Sequence, residues 1–140
     1  MITLHDIETA VAERLKSAGH TVTAAEVEEG FDKPTFFIDI FQNGAELENQ
    51  FMELVNVGVE LRYFPATETR EALVIMADAL RDLFTATPLT VGDRFLSVLE
   101  ILFDTDAPAL LCYFELEFMQ ETAATEQENE FMETLDMEVL

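Results

Sequence analysis

Apolar residues recur every three to four positions at the start of this chain, which is typical of a helix with one buried face. The pattern predicts a helix over Thr3–Ala18. Thr3 and Asp6 match a variant capping box, and Gly19 follows where a left-handed residue often ends a helix. The predicted buried stripe consists of Leu4, Ile7, Val11 and Leu15.

A second stripe with the same spacing follows Pro65. It predicts a helix that is capped by Thr67 or Thr69 and ends near Thr85. The residues predicted to face the core are Leu73, Met76, Leu80, Leu83 and Phe84.

Elsewhere apolar and polar residues alternate with period two, which indicates strands. Turn-forming residues separate them, with a loop predicted at Gln42–Ala45 and a hairpin turn at Asp104–Pro108. The predicted strands are Thr21–Val27, Thr35–Phe41, Phe51–Phe64, Leu89–Gly92, Arg94–Phe103 and Leu110–Met119.

Most of these strands follow one another without a helix between them, so we expect an α+β fold. Its sheet should be mainly antiparallel, with both helices packed on one face. Residues 1–120 would form this domain, and 121–140 an acidic C-terminal arm that either ends in a strand or orders only against a neighbour. Apolar side chains would then lie uncovered on the second face, which favours oligomerisation. They are Phe37, Phe41, Leu96, Val98 and Leu102.

Charge is distributed very unevenly along the 140 residues, whose formal net charge is −22. After Arg94 there is no Lys or Arg, yet this part carries twelve of the 29 acids. Such a surface repels phosphate backbones and anionic membranes. An apolar content of 49% nevertheless supports a real core. With no leader pattern and no long apolar run, we expect an intracellular, soluble protein.

Residues suited to catalysis or metal binding are few. Cys112 alternates with apolar neighbours and is expected to be buried, while His5 and His20 have no partner motif. Asp104-x-Asp106 resembles the start of a calcium loop, but the Gly and Glu that such a loop needs do not follow. We therefore expect no enzyme activity and no cofactor.

Several short motifs occur in an order that resembles the phage tail terminator family of tailed phages and prophages of Gram-positive bacteria. The resemblance covers roughly residues 3–120. The motifs are Leu4-x-Asp6-Ile7, Gly30-Phe31-x-Lys33-Pro34-x-Phe36-Phe37-Ile38, Val57-x-Val59-x-Leu61-Arg62-Tyr63-Phe64-Pro65, Leu80-x-x-Leu83-Phe84 and Leu89-x-Val91-x-Asp93-Arg94.

The resemblance implies a non-enzymatic virion protein, assembled in the bacterial cytoplasm, that forms a ring of six copies. Such a ring caps the tail tube, stops its elongation and joins it to the head or neck connector. Its partners would be further copies of itself, the tube protein and the connector protein. Candidate residues for the contacts between subunits are Phe31, Pro34, Phe37, Phe41, Arg62 and Phe64.

The acids of the final third would then line or flank the path of DNA, which passes without specific binding. The candidates are Glu115, Glu117, Glu126, Glu128 and Glu130. Two alternatives remain open from the sequence. The chain is a neck or tail-completion subunit, or it is an acidic DNA mimic that inhibits a basic host protein.

Overall fold

The computed structural model describes residues 1–24, 29–105 and 108–123. Within these ranges the chain forms two helices and six strands, which confirms the predicted α+β class. Among the described residues, no helix is long and apolar enough to cross a membrane. The elements are α1 (Leu4–Ser17), β1 (Thr35–Leu47), β2 (Met52–Phe64), α2 (Arg70–Thr85), β3 (Leu89–Val91), β4 (Arg94–Leu96), β5 (Ile101–Asp104) and β6 (Leu110–Glu121).

Both helices begin at the threonines that the sequence indicates. The Thr3 hydroxyl accepts a hydrogen bond from the Asp6 backbone N–H, and the Asp6 carboxylate accepts one from the Thr3 N–H. This reciprocal pair satisfies two backbone donors that the first turn of α1 leaves free. Thr69, rather than Thr67, caps α2 by accepting from the Ala72 N–H.

In the described part of the chain, the main sheet has four antiparallel strands in the order β1-β2-β6-β5, and β3 and β4 form a separate hairpin. Directly paired residues share a face, so the register places the alternate apolar residues of β1, β2 and β6 together. These residues join the buried residues of α1 and α2 in one core. The helices therefore cover one face of the sheet, as predicted.

The segment after β3 differs from the prediction of one strand over Arg94–Phe103. It divides into β4 and β5, with Ser97–Glu100 outside either strand. Leu96 and Val98, expected on an uncovered face, are buried in the core instead. Phe95 and Leu99 lie on the opposite side of the predicted strand, which would face the core, but both are exposed. Leu102 is exposed as predicted.

The first hairpin is also longer than predicted. The predicted loop at Gln42–Ala45 is wrong, because β1 continues to Leu47 and pairs with β2. The register shifts between Gln42 and Gly44, so a bulge absorbs the turn-forming residues without ending the strand.

Two predicted segments lie partly outside the described residues. Of the strand predicted at Thr21–Val27, the described part forms a single bridge from Val22 to Phe36. Of the C-terminal arm, residues 124–140 are outside the described part, while β6 continues to Glu121. The Thr122 hydroxyl then donates to the Gln50 carbonyl oxygen, which fastens the end of β6 to the turn before β2.

Candidate functional site

The face of the sheet turned away from the helices holds most of the candidate residues. We call it the open face, because neither helix packs on it in the described part of the chain. Aromatic and acidic side chains occupy different parts of this face. Its residues include Phe37, Phe41, Asn56, Gly58, Glu60, Arg62, Phe64, Tyr113, Glu115 and Glu117.

Three phenylalanines form a cluster at the end of the open face where β1 begins. The ring centroids of Phe31 and Phe37 are 4.9 Å apart, and those of Phe31 and Phe64 are 5.0 Å apart. The Arg62 guanidinium lies over the Phe37 ring at 5.3 Å. The expectation that Phe37 is exposed is wrong, because the loop that carries Phe31 folds over it and leaves only 3% of it accessible.

The loop itself brings a second cation to the same cluster. The Lys33 ammonium is 5.9 Å from the Phe64 ring centroid and 2.9 Å from the Glu68 carboxylate. Pro34 follows through a cis peptide bond and is exposed. Phe31, Phe37, Arg62 and Phe64 thus contact one another at this end of the open face, and Pro34 lies in the same loop as Phe31.

Phe41 lies farther along the face and contacts different residues. Its ring stacks with that of Tyr113 at a centroid distance of 6.3 Å, and both lie beside Gly58. Phe41 is therefore half-buried rather than fully exposed, which corrects the expectation from the sequence. Only a residue without a Cβ lets the two rings approach the β2 backbone this closely.

Glu115 stands within a hydrogen-bonded group of polar side chains. The Tyr113 hydroxyl donates to its Oε1 atom at 3.0 Å, and Asn43 Nδ2 lies 3.3 Å from the same oxygen. Asn43 also donates to Asn56 Oδ1 at 2.8 Å. Asn43 sits at the bulge of β1, which brings its side chain within reach. Glu115 is thus a positioned carboxylate, and not a freely solvated one.

The pKa of the Tyr113 hydroxyl is raised above its ordinary value. Burial is the main cause; the bond from Asn43 lowers the pKa, while Glu115 raises it through its hydrogen bond and its charge. The phenol therefore stays protonated and remains a donor to Glu115.

Of the other acidic candidates, Glu117 is exposed and lies on the same face, two residues along β6. Glu126, Glu128 and Glu130 lie outside the described residues.

A groove of about 560 Å³ lies between β6 and the chain that leads from β4 into β5. Phe95, Leu99 and Leu102 are 73%, 86% and 54% exposed and contribute its apolar part. Sequence reasoning misses this groove because both alternate sets of residues over 95–102 are mostly apolar, with one polar residue in each, so periodicity does not decide which set is buried. The acids along it are Glu100, Glu115 and Glu117.

Arg94 lies at the edge of the groove and is already engaged. Its guanidinium donates to the Met119 carbonyl oxygen at 2.6 Å and lies 5.6 Å from the Phe118 ring centroid. These contacts fasten the β3–β4 hairpin to β6 and fix one end of the groove.

Groups suited to chemistry are few within the part of the chain that the structure describes. Cys112 is buried, and burial raises the pKa of its thiol to about 12, which suppresses the reactive thiolate. The His20 ring packs beside Phe36, and burial lowers its pKa. No group of three His, Cys, Asp or Glu residues is placed to hold a metal ion there.

An α+β chain with one helix-covered face, an aromatic and acidic open face and an exposed apolar groove has the features of a protein that binds other proteins. The sequence profile of a family described as phage tail terminator protein matches residues 6–129. The chain therefore belongs to the phage tail terminator family, a family of structural tail proteins, and this confirms the resemblance noted above. No curated protein matches the chain.

Proposed function

We propose that this protein is the subunit of a ring that caps the phage tail tube when the tube reaches full length. The ring stops further addition of tube protein and joins the tail to the head or neck. The observation that carries the proposal is the family match over residues 6–129. The groove with its exposed Phe95 and Leu99 supports it, because apolar surface of this kind favours a protein partner.

We infer a ring of six copies held by heterologous contacts, in which one surface of a subunit meets a different surface of the next. The loop with Phe31 and Pro34 and the neighbouring Arg62 and Phe64 are one contact candidate. Phe37 is buried and packs against Phe31, so it holds the loop in place and does not itself contact the next subunit.

The acids of the final third serve passage of DNA without adhesion. Glu126, Glu128 and Glu130 come from a part of the chain that has no Lys or Arg to neutralise them. Repeated around a ring, such acids repel the phosphate backbone and reduce sticking during transit.

The proposal is tested by incubating the purified protein with growing tail tubes and measuring tube lengths and tube ends by negative-stain microscopy. Caps at one end of the tube and an arrest of elongation are expected. The mass of the protein in solution, alone and with tubes, reports ring formation. A stable monomer that never associates with tubes would contradict the proposal.

The net charge of −22 also fits the second candidate, an acidic DNA mimic. That protein would be a monomer or dimer and would bind a basic DNA-binding protein in a strongly salt-dependent way. A neck or tail-completion subunit would instead form rings that bind the head side and leave tube length unchanged. The mass and tube-length measurements therefore separate all three functions.

A further inference from the structure

The outer edge of β6, the edge turned away from β2, is paired over only part of its length. β2 pairs with β6 from Leu110 to Glu121, whereas β5 pairs with Leu111–Phe114 alone. Residues 97–100, which would continue β5 along β6, belong to no strand, and the groove of about 560 Å³ lies there. Within the described part of the chain, β6 therefore has no strand on its outer edge after Phe114.

The backbone of Glu117 faces this groove. Thr122 continues the β2–β6 ladder and its N–H donates to the Phe51 carbonyl oxygen at 2.9 Å, so the even-numbered residues of β6 bond to β2 and the odd-numbered ones point outward. The Met119 carbonyl agrees, because it accepts from Arg94 on the outer edge. The N–H and C=O of Glu117 have no partner among the described residues. Such a pair on a strand edge is a template for another strand.

The side chains around this edge differ between the two faces of the sheet. Alternate residues of a strand lie on opposite faces, so Glu115 and Glu117 lie on the open face and Phe114 and Phe118 on the covered one. Glu100 lines the groove as a third acid. None of the three acids has an ion pair among the described residues. The open side of the groove is therefore ready to take a cation.

We propose that β6 accepts an antiparallel strand from another protein at this edge, with a Lys or Arg opposite Glu117 and an apolar residue on each side of that cation. Residues directly opposite each other share a face, so the cation lies beside the acids. Its two neighbours turn to the other face, where Phe114 and Phe118 line the groove together with the exposed Phe95 and Leu99. The N–H and C=O of the cationic residue form two hydrogen bonds with Glu117.

This chain has no segment of its own that fits. Arg62 alone among its seven Lys and Arg residues has a hydrophobic residue on both sides, and it lies in β2, which is paired with β1 and β6. Residues 124–140 carry six acids and no Lys or Arg, so the acids of the groove would repel them. The occupant is therefore a different protein.

The inference does not depend on the proposed ring. It gives Glu115 and Glu117 a cation of a partner protein to face, in place of the DNA path that the sequence suggests.

Peptide binding to the 140-residue chain tests the inference. The probe has about seven residues, the length of an ordinary strand, with Val-Lys-Val at its centre and threonines at both ends. One control peptide has the same composition but the order Lys-Val-Val, and a second has Glu in place of Lys. The probe should bind more tightly than the reordered peptide and at least about tenfold more tightly than the acidic one.

A variant pair locates the charge contact on the protein. Glu117→Lys should weaken binding of the probe at least about tenfold, because the cation of the probe then meets a like charge. Glu13→Lys changes the net charge equally at an exposed position on α1 and should leave binding unchanged. Circular dichroism of both variants verifies their fold.

N-methylation of the probe separates strand addition from charge attraction alone. Alternate N–H groups of a strand point to opposite edges, so the N–H of the central Lys faces Glu117 and that of the next Val faces solvent. A methyl group on the Lys nitrogen should weaken binding at least about tenfold, and one on the Val nitrogen less than about threefold. Any other order of the two effects would overturn the inference.

Hydrogen exchange resolved to single amides gives the position of the bound probe. The Glu117 N–H should exchange fast in the free protein and at least about tenfold more slowly with the probe bound. The N–H groups of Leu116 and Phe118, which bond to β2, should exchange slowly in both states.

Three results would overturn the inference and leave the proposed function untouched. The first is equal binding of the probe and its acidic counterpart. The second is a Glu117 N–H that is protected without the probe and loses this protection on dilution, which assigns the edge to a second copy. The third is protection that persists on dilution, which assigns the edge to other residues of the same chain. Ring formation and tube capping are measured without the probe, so they decide the proposed function separately.

Discussion

The ring of Phe41 lies against the backbone of Gly58, where a Cβ atom would come within 2.8 Å of two ring carbons and 2.9 Å of the Tyr113 hydroxyl oxygen. The glycine thus shapes the open face: it lets one aromatic pair lie flat across three strands. Any side chain at position 58 would lift Phe41 and Tyr113 away from the sheet.

Gly58→Ala should therefore destabilise the protein, by about 1–3 kcal/mol, because the added Cβ forces the Phe41 and Tyr113 rings off the sheet and costs their packing contacts. Urea unfolding measures the change. Gly44→Ala is a matched control on the neighbouring strand, since a Cβ there meets nothing within 4 Å. It should leave stability within about 0.5 kcal/mol of the wild type. Equal effects at the two positions would contradict the role given to Phe41.

Arg14, which lies on α1, should stabilise the C-terminal end of α2. Its guanidinium donates to the carbonyl oxygens of Leu83, Thr87 and Pro88 at 3.1, 3.0 and 2.7 Å. The last turn of α2 has no basic residue of its own. Arg14→Lys keeps the charge but loses the planar fork, and should cost about 1–2 kcal/mol.

Thermal and urea unfolding of Arg14→Lys measure that loss. Lys16→Gln serves as the control, because it removes a cation from the same helix at an exposed position. A change within about 0.5 kcal/mol is expected for it. A loss for Arg14→Lys no larger than that for Lys16→Gln would contradict the stabilising role given to the carbonyl contacts of Arg14.

Acid should weaken the start of α1. The pKa of Asp6 is held below its ordinary value, chiefly by the Thr3 backbone N–H and then by the Thr3 hydroxyl. A carboxyl whose pKa is lowered on folding contributes stability above its unfolded pKa, and that contribution is lost as the pH falls through the folded value. Asp6→Asn should therefore lower the melting temperature at pH 7. The difference in melting temperature between this variant and the wild type should become smaller below about pH 4.

Glu8→Gln is the control for Asp6→Asn, since it removes the same charge from the same helix without a bond to Thr3. Its difference in melting temperature from the wild type at pH 7 should be smaller. If the melting-temperature difference for Asp6→Asn stays constant from pH 7 to pH 3, ionisation of Asp6 does not contribute to stability.

Neutralising the acids beyond β6 should alter DNA transit and leave assembly intact. We expect slower DNA ejection from phage particles that carry Glu126→Gln, Glu128→Gln and Glu130→Gln together. The surface that lines the DNA path then repels the phosphate backbone less. Ejection kinetics followed by dye release measure the effect. Glu8→Gln, Glu13→Gln and Glu71→Gln remove equal charge from the helices and should leave ejection unchanged. If the variant with Glu126→Gln, Glu128→Gln and Glu130→Gln ejects DNA at the wild-type rate, these acids do not serve DNA transit.

Sequence patterns predict most of the covered face of this fold, because there one set of alternate residues is apolar and the other is polar. The β6 strand shows this well: Leu110, Cys112, Phe114, Leu116 and Phe118 are all buried, as their spacing predicts. Burial of such a set decides the register and the direction of each side chain together.

Sequence patterns predict the open face less completely, because contacts between residues far apart in the chain determine it. Phe37 is buried by a loop residue, Phe31, and nothing in a local pattern indicates that cover. The groove depends on a change in the alternation between Val98, which is buried, and Ile101, which is partly buried three positions later. Where both alternate sets are apolar, only the packing of the whole chain selects the buried one.

The alternation of buried and exposed apolar residues beside the groove has a consequence for evolution. Along residues 95–99 the buried positions, Leu96 and Val98, alternate with the exposed ones, Phe95 and Leu99. The buried pair packs in the core and maintains the fold, whereas the exposed pair makes no contribution to the core. A phage lineage is therefore able to vary the exposed pair in step with a changing partner while the interior stays constant, so that recognition diverges faster than architecture.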